Sequence, residues 1–163
     1  MPRCINCRIT SLLSALAASG LRPDLLELEV TERSFIGDDP ATLASLARLH
    51  GLGVRLVLDD FGKGYSSLGH LSRAKFAKIK INQQLVRDAA DGDQDARAIV
   101  TVILALANGL GVETTAEGVE FAAEAEAIRK LGCGQLQGFH FVCPVPSRRH
   151  RARRGSQPPL RLG

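Results

Sequence analysis

At 163 residues the chain has room for about one domain with a real core, and 45% hydrophobic and 23% charged residues is the composition of a globular protein. No apolar run is long enough to span a bilayer and no basic-then-apolar leader opens the chain, so the expected compartment is the cytoplasm. The net charge of +4 belongs to residues 147–163, SRRHRARRGSQPPLRLG, with six arginines and no acid; without them 15 basic and 17 acidic residues leave −2.

That tail is arginine-rich, Pro/Gly-containing and poor in apolar residues, so it is expected to be a disordered, solvated extension rather than a specific nucleic-acid binder. Of the four cysteines, Cys4 and Cys7 form one C-x-x-C with no second pair at zinc spacing; reduced, unpaired thiols are expected for these two and for Cys133 and Cys143.

In chain order, SLLSALAASG (11–20) reads as a helix and LLELEV (25–30) as a strand. Asp38, Asp39 and Pro40 open a helix that Gly51 closes. VRLVLD (54–59) is the next strand, followed by a glycine-rich loop and a short helical piece near 66–74. AKIKIN (77–82) is a third strand, and a long helix runs over about 94–109. VETTAE (112–117) is a fourth strand, VEFAAEAEAIRKLG a helix stopped by Gly132, and CGQLQGF (133–139) a fifth strand.

Strands alternating with helices imply parallel pairing, in an open doubly wound sheet or in a barrel. Side-chain parity separates the two, because successive strand residues face opposite ways. Leu26, Leu28 and Val30 share one face, Glu27 and Glu29 the other; Val54, Leu56 and Leu58 oppose Arg55, Val57 and Asp59. Ala77, Ile79 and Ile81 oppose Lys78, Lys80 and Asn82; Val112, Thr114 and Ala116 oppose Glu113, Thr115 and Glu117; Leu136 opposes Gln135 and Gln137. Parallel strands covered on both faces would be apolar on both. One polar face per strand fits a barrel interior with its reactive groups at the C-terminal mouth. The expected fold is therefore α/β, a partial TIM-like (β/α) barrel of about five strand–helix units.

The last polar residues of these strands are Glu29, Asp59 with Asp60, Lys80, Glu117 and Gln137. Converging carboxylates are too costly to leave unpaired. Oxygen ligands without histidine or cysteine point to Mg²⁺, Mn²⁺ or Ca²⁺ rather than zinc. Two metals sharing the Asp59–Asp60 pair would suit phosphoryl transfer, with Lys80 orienting water or neutralising phosphate. The competing reading of the same residues is an ion-pair network in a barrel core, with Lys80 as the counter-charge. GKGYSS (62–67) has neither P-loop nor G-x-G-x-x-G spacing, which sets a nucleotide-cradling loop aside.

The segments LELEVTE, LDDFGKGYSSL, KIKINQQLV, TAEGVE and LQGFHF resemble, in order, the motifs of the EAL domain family, over about residues 10–146. That family comprises bacterial phosphodiesterases that cleave cyclic di-GMP to pGpG with Mg²⁺ or Mn²⁺. The resemblance implies metal ligation by Glu29, Asp59, Asp60 and Glu117, and a catalytic site of Lys80, which holds the attacking water, with Glu117 and Gln137. It implies that Glu32 steadies the loop after the DDFG strand, that Glu120 is the second acid of the EGVE motif, and that the loop containing Phe61, Gly62, Gly64 and Ser66 serves substrate binding and dimerisation. A homodimer, or an attached sensory or cyclase domain, is implied as partner.

Several positions depart from the family pattern. The EAL triplet and the asparagine of the following strand have no counterpart here, and residues 1–9 are divergent. Asn82 stands where the family carries aspartate, and Lys63 where it carries threonine. The expectation is an N-terminally truncated phosphodiesterase of impaired activity. The alternatives are a non-catalytic module that binds cyclic di-GMP or a protein, and a remnant of a longer signalling enzyme.

Overall fold

The computed structural model describes residues 5–32, 40–62 and 71–141. Helix α1 covers Ile5–Ser19, and a 3₁₀ turn at Pro23–Leu25 leads into strand β1, Glu27–Thr31. Then follow α2 (Pro40–Gly51), β2 (Arg55–Phe61), α3 (Leu71–Ala74), β3 (Lys78–Ile81), α4 (Gln83–Asp91) and α5 (Gln94–Leu110). Strand β4 (Glu113–Ala116), α6 (Ala122–Lys130) and β5 (Gln135–Leu136) complete the set. The five strands form one parallel sheet in the order β1-β2-β3-β4-β5, each joined to the next by a crossover, as in a sector of a TIM-like barrel. Among the described residues no helix is long and apolar enough to cross a membrane.

The outward parity is the core. Leu56, Leu58, Ile79, Ile81 and Ala116 are buried against Leu46 and Leu49 of α2, Val100, Ile103 and Ala107 of α5, and Ala125 and Ile128 of α6. The inward parity carries charge in register: Glu27 lies beside Arg55 and Lys78 beside Glu113. These four close an ion-paired tier, with Lys78 Nζ at 3.0 Å and Arg55 Nε at 3.4 Å from Glu27 Oε1, and Arg55 Nη2 at 3.3 Å from Glu113 Oε2. Gln135 extends the tier by donating to Glu113 and accepting from the Thr115 hydroxyl.

The N-terminal helix begins at Ile5, earlier than the expected residue 11, so it takes in part of the divergent segment 1–9. The nine-residue helix α4 lies in a stretch to which the sequence reading assigned no element. It forms because Asn82 Oδ1 accepts the Gln84 N–H at 2.9 Å and Gly92 closes it with φ 102°. Of the short helix expected near 66–74, the described residues Leu71–Ala74 are helical and 66–70 lie outside the described residues, while β5 has two residues. Cys4, Cys143, Lys63 and the tail 147–163 lie outside the described residues.

After β5 the chain turns back onto the loop that follows β4: Val119 N donates to Gln137 O at 3.1 Å and His140 N to Val119 O at 3.0 Å. Gly138, between these bonds, is so close to the Val119 backbone that a Cβ there would collide with it. Backbone cannot swing aside as a side-chain tip can. Gly138→Ala is expected to lower folding stability by about 1–3 kcal/mol, as overpacking does, measured by urea unfolding.

Candidate functional site

The site lies where the five strands end. Glu29 comes from β1, Asp59 and Asp60 from β2, Lys80 from β3, and Glu117 and Gln137 from just beyond β4 and β5. Lys80 is at the centre. It is 8% exposed, and its Nζ is 2.6 Å from Glu117 Oε1, 2.8 Å from Glu29 Oε1 and 3.3 Å from Asp59 Oδ1. Burial alone would pull this ammonium below the usual lysine range. Its hydrogen bonds to Glu117 and Glu29, with the charges of Glu117 and Asp59, outweigh that and hold it above the range. Among these carboxylates Lys80 is therefore a cation and a hydrogen-bond donor at neutral pH.

Asp59 Oδ1 is buried and has no aligned hydrogen bond, although Lys80 is within ion-pair reach. An electron-rich oxygen in that position is unsatisfied by geometry rather than by distance.

The adjacent acids escape the alternation of a strand. The pairing of β2 with β3 shifts register between Leu58 and Phe61, and Asp60 takes a left-handed φ of 59°, which costs a non-glycine residue about 1–2 kcal/mol. Both carboxylates consequently reach the end of β3, Asp59 toward Lys80 and Asp60 to Asn82, whose Nδ2 donates to Asp60 Oδ1 at 2.8 Å. Lys80 and Asn82 share one parity of β3, so the two acids are gathered on the same side.

The neighbouring residues divide between this cluster and its supports. Phe61 is buried in the outer core, and its carbonyl accepts the Asn82 N–H at 3.1 Å. Gly62 has φ 101°, and its N–H donates to Glu32 Oε2 at 3.2 Å; a Cβ on Gly62 would meet Leu85 Cδ2 at 2.8 Å. The buried Glu32 thus ties the end of β1 to the turn after β2. Glu120 stands apart from Lys80: its Oε1 is 3.3 Å from Arg87 Nη2 and accepts from Gln83 Nε2, joining the entry of α6 to α4. Gln137 lines a cleft of about 270 Å³ on the inward face with Glu27, Glu29, Lys78, Lys80 and Thr115. Gly64 and Ser66 lie outside the described residues.

Two features escaped the sequence reading. Asn82 is the cap of α4 as well as the partner of Asp60, a role its place just before a polar helical run could have signalled. The ion-paired tier of Glu27, Arg55, Lys78 and Glu113 is the inward parity one layer below the site, visible in the same alternation.

As they stand, no three His, Cys, Asp or Glu side chains among the described residues are gathered to hold an ion; the carboxylates are drawn instead onto Lys80. The donor set still fits a hard divalent cation. It is all carboxylate oxygen, and the buried Asp59 Oδ1, which accepts no hydrogen bond although Lys80 Nζ stands 3.3 Å away, keeps lone pairs that a cation can take.

A family model described as EAL domain matches residues 7–144. The bifunctional diguanylate cyclase/cyclic di-GMP phosphodiesterase MucR of Pseudomonas aeruginosa is 41% identical over 139 residues, 85% of this chain and 20% of that protein. Cyclic di-GMP phosphodiesterase RocR of the same organism is 35% identical over 126 residues, 77% of this chain and 32% of that one. The chain thus spans between a fifth and a third of these two relatives. Among solved structures, the PaMucR phosphodiesterase in complex with c-di-GMP superposes with a TM-score of 0.81 at 39% identity, covering 87% of this chain and 57% of that one. A calcium/cy-diGMP complex of Klebsiella pneumoniae BlrP1 superposes with a TM-score of 0.74 at 37% identity, covering 81% and 33%. With the motifs, the polar barrel interior and these matches in agreement, the chain belongs to the EAL domain family.

Proposed function

We propose that this chain is a cyclic di-GMP phosphodiesterase module, hydrolysing the cyclic dinucleotide to pGpG with Mg²⁺ or Mn²⁺. The observation that carries the reading is Lys80, a buried ammonium donor set among Glu29, Asp59 and Glu117 at the strand ends. Glu29, Asp59, Asp60 and Glu117 would hold the cation, which when bound supplies positive charge for the phosphate and acidifies water. Lys80, kept protonated, would orient that water and face the negative charge that grows on the phosphoryl oxygens. Gln137, on the same cleft, offers an uncharged donor and acceptor that adds nothing to the repulsion between carboxylate and phosphate. Glu32 would hold the turn at Gly62, and so the approach to the site, in place. The domain itself is read as residues 10–146, flanked by the divergent 1–9 and the basic 147–163.

One observation favours a second reading, a module that binds cyclic di-GMP without cleaving it: the carboxylates are already neutralised in part by Lys80. Incubation of the full chain with cyclic di-GMP and Mn²⁺, followed by chromatography for pGpG, separates the two. Turnover supports the first; bound nucleotide with no product supports the second. In the first case Lys80→Ala should slow turnover by at least about 100-fold. An unchanged rate removes the role given to Lys80.

Lys80 also makes a statement about stability. Removing it leaves Glu29, Asp59 and Glu117 facing one another, which should cost about 1–3 kcal/mol in Lys80→Met after allowing for their partial exposure. Mn²⁺ can take over the lost positive charge, so its addition should raise the melting temperature of Lys80→Met more than that of the parent. Because folding raises the Lys80 pKa, its stabilisation is complete below the ordinary lysine value of about 10.4 and is lost only as pH rises through the still higher folded value. Thermal melts between about pH 7 and 9 should accordingly show no loss traceable to Lys80, read as an unchanged difference between parent and Lys80→Met across that range.

A further inference from the structure

Asn82 is 3% exposed and every polar part of it is in use. Its backbone N–H donates to Phe61 O at 3.1 Å, its Oδ1 caps α4 by accepting the Gln84 N–H at 2.9 Å, and its Nδ2 donates to Asp60 Oδ1 at 2.8 Å. The cap decides which way the carboxamide faces, because turning it over would set its NH₂ against the Gln84 N–H. The positive end of the amide is thereby aimed at a carboxylate oxygen that belongs to the candidate cation site.

We propose that Asn82 is a positioning residue that lowers the cation affinity of this site, by engaging Asp60 Oδ1 and placing an N–H dipole where positive charge would otherwise be welcomed. The inference rests on the reading that these carboxylates hold a divalent cation. A carboxamide hydrogen and a cation compete for the same oxygen electrons, and the amide is covalently tethered at full effective concentration. It is a neutral competitor, so it also leaves the site one negative charge poorer than a carboxylate of the same size would. The site is in consequence loaded only when free cation is plentiful, which makes this chain's activity follow cation supply.

Asn82→Asp is nearly isosteric, keeps an oxygen to cap α4, cannot donate to Asp60 when ionised, and adds a charge within a few ångströms of it. Asn82→Ser keeps a capping oxygen, removes the carboxamide and adds no charge. Mn²⁺ binding to the full chain is measured by titration calorimetry, with a thermal melt of each variant as the control for the cap. Asn82→Asp should bind Mn²⁺ about tenfold more tightly than the parent, or better, with its melting transition retained, and Asn82→Ser should gain less. Equal or weaker binding by Asn82→Asp, with parent binding intact, overturns the inference alone. If Asn82→Asp does not melt cooperatively, Asn82→Ser decides: tighter binding supports the inference, equal or weaker binding overturns it. Absence of Mn²⁺ binding in the parent and both variants overturns the cation reading itself, and this inference with it.

Discussion

The contact between the Lys80 ammonium and three carboxylates, Glu29, Asp59 and Glu117, is what allows a barrel end to hold so much like charge in so small a space. Each acid arrives at the end of a different strand, and each would repel the others at these distances in a medium less polar than water. Lys80 can serve all three because β3 lies inside the sheet, with β2 on one side and β4 on the other. A lysine on an edge strand would reach fewer of them. The strand order and the charge pattern are therefore one design seen at two scales.

Around that contact the structure separates holding from reacting. The residues that hold are engaged with backbone: Glu32 takes the Gly62 N–H, Asn82 takes the Gln84 N–H, and Glu124 takes the Glu120 and Phe121 N–H groups. These bonds fix the turn after β2, the start of α4 and the entry of α6. The residues given chemical roles, Glu29, Asp59, Lys80 and Glu117, meet one another through side chains only. Their positions can then adjust to a bound ion or phosphate without unfolding a cap or a turn.

Much of this was written in the sequence at a period of two. The alternation of Leu28 and Val30 with Glu27 and Glu29, and of Ile79 and Ile81 with Lys78 and Lys80, placed the polar face and its barrel interior before any coordinates. The same alternation brought Glu29, Asp59, Lys80 and Glu117 to one rim. It could not place Asp60, because its direction depends on a register shift and a left-handed residue, both consequences of how β2 meets β3. Nor could it foresee that Glu32 would find Gly62, thirty residues onward, since no local periodicity links the end of one strand to the turn after the next. Helix α4 went unassigned, though Asn82 before it and Gly92 after it are the signals of a start and a stop.

The two inward tiers differ in one respect that bears on the sequence of events at the site. The lower tier of Glu27, Arg55, Lys78 and Glu113 sums to no net charge, whereas among the described residues the upper one sets four carboxylates against the single ammonium of Lys80, an excess of three negative charges. The charge balance inside the sheet consequently changes along the barrel axis, from neutral at the lower tier to an excess of negative charge at the rim, so the potential grows more negative toward that end. A dianion approaching from the rim meets a barrier, and a divalent cation meets a slope downhill. On the reading proposed above, electrostatics would therefore favour entry of the cation ahead of a phosphate at this end of the barrel.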